Sequence, residues 1–156
     1  MIVQSLMTKN PKCCRPEESL KTAAHIMWES DIGSIPVVDR EQRVVGMITD
    51  RDICMAANFQ DRPLSEIQVH QAMASKIVAC QPGDDIKTAE RLMRDNQVHR
   101  VPVIDRNGHL LGVLSVNDLA RKAASDRHLS SPQVGEAGVV TTLAAIATPR
   151  PMAAFS

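Results

Sequence analysis

The chain has very few aromatic residues and no excess of either charge. Its 156 residues include one Trp, two Phe and no Tyr, and eighteen basic residues balance eighteen acidic ones. Unpaired bases bind proteins largely by stacking on aromatic rings, and a neutral chain has no overall field to attract a phosphate backbone or anionic lipid. We therefore expect neither nucleic acid nor a membrane as a partner.

The sequence also lacks long apolar runs and a metal-binding cysteine pattern. No stretch approaches the roughly 18 apolar residues that a membrane span needs, and no secretion signal is recognisable, so a cytoplasmic location is expected. Cys13, Cys14, Cys54 and Cys80 form no C-x-x-C pair and have no His at zinc-finger spacing. They are interpreted as reduced thiols, with a redox role for Cys13 and Cys14 left open in case the pair is exposed.

The strongest signal is an internal repeat. Shifting the chain against itself by 66 positions aligns two copies without a gap. The matching positions include Val3 with Val69, Met7 with Met73, Cys14 with Cys80, Pro16 with Pro82, Lys21 to Ala23 with Lys87 to Ala89, Met27 with Met93, Pro36 with Pro102, Asp39 with Asp105, Gly46 with Gly112, and Asp52 with Asp118. A constant offset predicts two copies of one supersecondary unit, each needing the other to cover its apolar face.

Periodicity within each copy predicts the order strand, helix, strand, strand, helix. Apolar residues at i, i+3, i+4 and i+7 predict a helix over about residues 18–30 of the first copy. Two β-branched runs, 35–38 and 44–48, flank a polar turn and predict a hairpin. The matching turn of the second copy contains Asn107-Gly108, a strong hairpin signal.

The remaining elements complete each copy. A second helix is predicted to open at Thr49 and at Ser115, and a short strand to lead each copy near Cys13-Cys14 and near 77–79. The predicted boundaries are a first repeat at 1–57, a linker and lead-in at 58–68, a second repeat at 69–123 and a tail at 124–156. In the tail, a short docking helix ended by Pro149 is predicted to pack through Val140, Leu143, Ala144 and Ala147.

Each strand-to-helix corner carries a hydroxyl and, three residues later, a carboxylate: Thr49 with Asp52, and Ser115 with Asp118. This spacing is typical of a capping box, which is a purely structural role. The same helix start also presents free N–H groups and partial positive charge that favour a phosphate, while the carboxylate is a suitable acceptor for a ribose diol. From the residues alone, both interpretations stay open.

Basic residues near these corners differ between the copies. Arg51 adds a cation at the first corner, where the second copy has a neutral residue. Before the second strand, His99 and Arg100 are natural phosphate partners, whereas Gly33 and Ser34 leave space but no charge. A solvated surface arginine is the alternative interpretation of Arg100.

Taken together, these features resemble the CBS domain, which occurs in tandem as the Bateman module. The shared features are a small-residue lead, an apolar-x-Pro-apolar strand, a Gly-apolar-apolar-Ser/Thr-x-x-Asp helix start, and their duplication over roughly residues 1–122. The resemblance implies an α/β (α+β) fold in which two CBS repeats form a pseudo-twofold pair with two clefts. In that family the clefts hold AMP, ADP, ATP, NAD-like dinucleotides or S-adenosylmethionine.

The resemblance also assigns site residues. Thr49, Asp52, Ser115 and Asp118 match ribose and phosphate positions. His99 and Arg100 match a pair that contacts phosphates in some members, including the gamma subunit of AMP-activated kinase; Gly33 and Ser34 depart from it. The positions that frame the base or line the rest of the site are Ile35, Pro36, Val37, Ile77, Val78, Val101, Pro102 and Val103, with Arg51 beside the first corner. Both clefts are therefore expected to be usable but unequal.

The function predicted from the sequence is a regulatory module that binds an adenosyl ligand and signals to a separate, unidentified effector protein. No obligatory cofactor, metal or catalytic centre is expected, because no nucleophile lies in a recognisable motif and the histidines show no metal-ligand spacing. A homodimer is expected from the symmetry and the apolar helix faces. The alternative is a ligand-free dimerisation or docking module.

Overall fold

Each copy of the repeat folds as a hairpin between two helices. The computed structural model describes residues 1–151. The first copy contributes β1 (Thr8–Lys9), α1 (Leu20–Ser30), β2 (Ser34–Val38), β3 (Val44–Thr49) and α2 (Asp50–Gln60). The second contributes α3 (Ile86–Asn96), β4 (Arg100–Ile104), β5 (Leu110–Ser115) and α4 (Val116–Asp126), and the tail adds α5 (Glu136–Ala147). The mixed fold predicted from the sequence is confirmed.

The helices begin and end where local chemistry favours it. At the start of α1, the Ser19 side chain accepts a hydrogen bond from the Thr22 amide at 3.2 Å, and at the start of α3 the Asp85 side chain accepts one from the Lys87 amide at 2.9 Å. Both helices end at residues with left-handed backbone, Asp31 and Gln97. The first helix therefore lies where its apolar periodicity predicted it.

Both predicted hairpins are confirmed. β2 pairs with β3 and β4 with β5, each antiparallel. In the second turn Gly108 has φ +87°, which glycine tolerates. The equivalent residue of the first turn, Gln42, has φ +64° and is a less suitable residue there.

The segment before the first helix of each copy crosses to the other copy. The Val3 amide donates to the Asp84 carbonyl at 2.8 Å, and the symmetry-related Val69 amide donates to the Glu18 carbonyl at 2.8 Å. Further along, β1 pairs with β5, while Ala74 forms a bridge with Met47 of β3. Each repeat is thus completed by residues from its partner.

The lead strands differ from the prediction in place and length. Near Cys13-Cys14 and near 77–79 the structure has only single parallel bridges, Cys14 with Val37 and Cys80 with Val103. The lead-in chain forms further backbone pairs earlier, where it crosses the other repeat: β1 pairs with β5, and Ala74 pairs with Met47. The predicted polar linker at 58–68 is also shorter than expected, because α2 continues to Gln60 and Ile67 is fully buried in the first core.

Two hydrophobic cores lie side by side, one per repeat. The largest buried side chains include Leu20, Ile35, Ile48 and Ile67 in the first core and Met93, Leu114 and Leu119 in the second. The two hairpins join at their turns: the Val44 amide donates to the Gly108 carbonyl and the Leu110 amide to the Gln42 carbonyl, both at 3.0 Å. The two bonds join positions that are equivalent under the 66-residue offset, as a pseudo-twofold axis between the repeats requires.

The tail helix α5 packs on α3 and α4, but through a face other than the predicted one. It buries Val139, Thr142 and Ile146, while Val140 is 65% and Leu143 41% exposed. Ala144 and Ala147 are exposed as well, so the predicted packing face is wrong.

The polar groups of α3 explain this choice of face. The Arg94 guanidinium donates to the Thr142 hydroxyl at 3.2 Å, and the Gln97 amide donates to the carbonyls of Ala145 and Thr148. These bonds fix the rotation of a helix that is apolar nearly all round. Within residues 1–151, no helix combines the length and hydrophobicity of a membrane span.

Candidate functional site

The two strand-to-helix corners form capping boxes with nearly the same geometry. At the first corner the Thr49 amide donates to Asp52 Oδ2 at 2.9 Å, and the Asp52 amide donates to Thr49 Oγ1 at 3.1 Å. At the second corner the Ser115 amide donates to Asp118 Oδ2 at 2.8 Å, and the Asp118 amide donates to Ser115 Oγ at 3.3 Å. The structural role predicted for these residues is confirmed.

The first corner keeps part of its carboxylate available. Asp52 is half-buried, and in the part of the chain that the structure describes no hydrogen bond reaches its Oδ1. Asp52 lies in a depression of about 260 Å³ together with Met55, Ala56, Phe59, Gln60, Gln71 and Ala72. The Asp52 side chain therefore keeps one acceptor oxygen without a hydrogen bond and lines a depression in the surface.

The second corner uses both carboxylate oxygens. Oδ2 of Asp118 accepts from the Ser115 hydroxyl at 2.6 Å as well as from the Ser115 amide, and Oδ1 pairs with the Arg121 guanidinium. The Asp118 side chain is only 9% exposed, whereas Arg121 is 72% exposed. The two corners therefore share a backbone design but differ in how much of their acid is free.

Arg100 connects the two repeats. Its Nη1 donates to the Ser34 carbonyl at 2.8 Å and to the Ser34 hydroxyl at 3.2 Å, across the pseudo-twofold relation. Burial lowers the pKa of Arg100, and the nearby negative charge of Asp118 opposes that shift. The alternative interpretation of Arg100 as a solvated surface arginine is therefore wrong, because its side chain is half-buried and hydrogen-bonded to Ser34. The same side chain lies near Asp118 of its own repeat.

His99, Gly33 and Arg51 lie at the edges of the corners. The His99 carbonyl accepts from the Val116 amide and the Gly33 carbonyl from the Asp50 amide, each at 2.9 Å. The side chains of His99 and Arg51 are exposed. Gly33 opens onto a groove of about 350 Å³ on the α1–α2 face, lined also by Ala24, Met27, Trp28, Asp31, Ile32, Asp50 and Ile53.

The strand residues assigned to the base are inaccessible. The side chains of Ile35, Val37, Val101 and Val103 are fully buried in the two cores, and Pro36 and Pro102 are buried on the same strands. The side chains of these six residues therefore cannot contact a base, and we interpret them as core residues that support the strands. Ile77, 39% exposed, and the half-buried Val78 are accessible.

Comparison with known proteins identifies the family. The CBS domain model matches residues 3–58 and 65–125. The chain belongs to the CBS domain family. It is 33% identical over 130 residues to the CBS domain-containing protein YhcV of Bacillus subtilis (strain 168), covering 83% of this chain and 90% of that protein.

Two solved structures of CBS proteins have the same fold and were determined with ligands. The CBS domain pair of protein MJ0100 in complex with 5′-methylthioadenosine and S-adenosyl-L-methionine has a TM-score of 0.74 and 21% identity, covering 81% of this chain and 98% of that one. CBSX2 in complex with AMP has a TM-score of 0.71 and 24% identity, also over 81% and 98% of the two chains. At these identities the likeness establishes the fold of the CBS pair.

Cys13, Cys14 and Cys80 are poorly suited to redox chemistry. Burial raises the pKa of both Cys14 and Cys80 to about 12, and burial together with Glu18 also raises the pKa of Cys13. Because the thiolate is the reactive form, these thiols are largely unreactive near neutral pH. Cys13 and Cys14 are thus no evident redox pair.

Sequence reasoning missed two features of the CBS pair. One is the Arg121 guanidinium on Asp118; the repeat alignment could have found it, since it pairs Arg121 with Met55. The other is the exposure of two aromatic side chains, Trp28 at the Gly33 groove and Phe59 at the Asp52 depression. No local pattern in the sequence distinguishes such aromatics from core residues.

Proposed function

We propose that this CBS pair is a regulatory module that binds an adenosyl ligand at its strand-to-helix corners and signals to a separate protein. The observation that carries the proposal is the Asp52 carboxylate in the first turn of α2, whose Oδ1 accepts no hydrogen bond from residues 1–151. An ionised acceptor suits a ribose diol, and the helix start suits a phosphate. No catalytic step is part of the proposal.

The adenosine moiety is the ligand feature that we infer to be recognised. The ligands of the two solved CBS proteins, 5′-methylthioadenosine, S-adenosyl-L-methionine and AMP, all contain it. The candidates are therefore AMP, ADP, ATP, NAD and S-adenosylmethionine, none of them an obligatory cofactor. Ile77, Val78 and, on the second corner, His99 and Arg100 are proposed as further contacts.

Signalling requires that the ligand bind one arrangement of the repeats more tightly than another. The Arg100 contact with Ser34 lies between the repeats, where a bound phosphate would compete for the guanidinium. A ligand that binds Arg100 would break its contact with Ser34 and so favour a different relative orientation of the two repeats. An effector protein that binds only one of these orientations would then be regulated by the ligand.

A thermal-shift panel of these five compounds tests the proposal. At a ligand concentration of 100 Kd the native state should gain about 2.7 kcal/mol, which for a chain of this size corresponds to a Tm increase of about 5–10 °C. Asp52→Ala should remove at least half of the shift produced by the best ligand, because the ribose acceptor is lost.

A cap variant outside the site provides the control. Ser19→Ala removes the cap of α1, and each substitution should cost the free protein about 0.5–2 kcal/mol. Only Asp52→Ala should reduce the ligand shift. A full shift in Asp52→Ala would refute the ribose assignment, and no shift with any compound would refute nucleotide binding.

The second candidate function is a ligand-free scaffold. The observation that favours it is the complete burial of the strand residues Ile35, Val37, Val101 and Val103, which leaves a base few side-chain contacts. A scaffold would show dimerisation without any response to the nucleotide panel.

We also propose a homodimer, formed through the α1–α2 face. Trp28 is 86% exposed at the edge of the Gly33 groove on this face, whereas Phe59, 69% exposed, lies beside the Asp52 depression and is not part of the proposed contact. The equivalent face of the second repeat is already covered by α5. A projection and a groove on one face suit an isologous contact, in which each copy inserts Trp28 beside the other's groove.

Sedimentation over a range of concentrations tests this dimer. Trp28→Ala should weaken association about 30-fold, the effect expected for a central aromatic of an interface. Leu129→Ala changes a 53% exposed residue outside this face and should leave association unchanged. A wild-type protein that stays monomeric, or equal effects of the two variants, would contradict the proposal.

A further inference from the structure

The two corners differ at the position three residues after the acid, where the side chain can reach the carboxylate. Met55 lies three residues after Asp52 and shares its depression, and Arg121 lies three residues after Asp118. Residues three apart on a helix are neighbours on its surface, so each side chain flanks its own acid. A thioether leaves Asp52 Oδ1 open, whereas the guanidinium pairs with Asp118 Oδ1.

We infer that Arg121 determines which corner is occupied: it competes with the ligand for Asp118, so the ligand fills the first corner well before the second. This inference rests on the proposed function. Arg51, His99 and Arg100 also distinguish the two corners, and Arg121 is the side chain that acts on the acid itself.

The hydrogen bonds at Asp118 support this assignment. Both of its oxygens are engaged, Oδ2 by the Ser115 amide and hydroxyl and Oδ1 by Arg121. The bond from the Ser115 amide belongs to the capping box, which the first corner also has and which a ligand can leave in place. The bond from the Ser115 hydroxyl to Oδ2 is additional, and within residues 1–151 it has no equivalent between Thr49 and Asp52. Of the contacts made by the acid itself, the Arg121 pair is the one that the ligand must break, and in the part of the chain that the structure describes no cation pairs with Asp52.

The position of Arg121 makes it a reversible competitor. Its side chain is 72% exposed while that of Asp118 is 9% exposed, so the cation can swing into solvent without disturbing the core. The pair between Arg121 and Asp118 lies between two cases: an exposed ion pair, which stabilises little, and a hydrogen bond to a charged group, which stabilises more. Because the ligand must break this pair, we expect its affinity for the second corner to be about tenfold lower.

Single-corner variants titrated with AMP by calorimetry separate the two sites. In Asp118→Ala only the first corner keeps its acid, and in Asp52→Ala only the second corner does. Asp118→Ala should bind AMP about tenfold more tightly than Asp52→Ala. The double variant Asp52→Ala, Arg121→Met should bind AMP about tenfold more tightly than Asp52→Ala alone. The double variant Asp118→Ala, Met55→Arg should bind AMP about tenfold more weakly than Asp118→Ala alone.

Arg106→Met in the Asp52→Ala background is the matched control, because it removes an exposed arginine of the same repeat from the β4–β5 turn. It should leave the AMP affinity unchanged. Equal affinities of the two single-corner variants, or no gain from Arg121→Met, would overturn the inference while leaving nucleotide binding intact. If wild type binds neither AMP nor any other compound of the panel, the proposed function fails and this inference fails with it.

Discussion

Replacing Gly46 with alanine is expected to destabilise the fold by about 3 kcal/mol, the cost of forcing atoms into a tightly packed site. A Cβ on Gly46 would lie 2.7 Å from the Ala74 carbonyl oxygen and 2.8 Å from the Met73 sulfur. The methionine can move, but the carbonyl belongs to the lead-in chain bridged to β3. The lead-in would have to shift away from the strand.

The same result is expected at the equivalent position. A Cβ on Gly112 would lie 2.8 Å from the Thr8 carbonyl oxygen and 2.6 Å from the Met7 sulfur. Urea unfolding of both variants measures the loss. Gly83→Ala is the control, since a Cβ there has nothing within 4 Å and a change within about 0.5 kcal/mol is expected.

A companion substitution identifies which contact is responsible. Met73→Ala in the Gly46→Ala background removes the sulfur but leaves the carbonyl, so most of the loss should persist. Gly46→Ala as stable as Gly83→Ala would show that the lead-in does not cross over β3. The crossed arrangement of the two repeats would then be wrong.

The second large effect is expected at the tail helix. Ile146→Ala should cost about 2–3 kcal/mol, within the range for truncating a buried isoleucine, because Ile146 is 8% exposed in the second core. Leu143→Ala changes the same helix at a residue that is 41% exposed and should cost no more than about 0.5 kcal/mol.

Denaturant unfolding of these two variants decides between the two faces of α5. Both are large aliphatic residues truncated to alanine in one helix, so differences in helix propensity are small beside the packing difference. A larger loss from Leu143→Ala than from Ile146→Ala would mean that α5 packs through the face first predicted from the sequence, and the observed rotation would be wrong.

Much of the fold was predictable because its signals are local or repeated. The 66-residue offset shows a duplicated unit, and β-branched runs around Asn107-Gly108 mark the hairpin. The capping pairs Thr49 with Asp52 and Ser115 with Asp118 locate the starts of α2 and α4 to the residue. Each of these signals depends on residues a few positions apart in the chain.

The rotation of α5 was not predictable in the same way. Its sequence is apolar on several faces, so periodicity alone allows more than one packing side. Arg94 and Gln97, some fifty residues earlier, select the side that buries Thr142. The choice depends on a contact between distant segments.

For the candidate site, the sequence by itself determined two equivalent corners, each with a hydroxyl and an acid at a helix start. Only the tertiary structure decided that Arg100 reaches Ser34 in the other repeat, and that the strand residues assigned to the base lie inside the cores. The physical reason is distance along the chain: helix starts and turns are set by neighbouring residues, whereas burial and access are set by segments that meet only after folding.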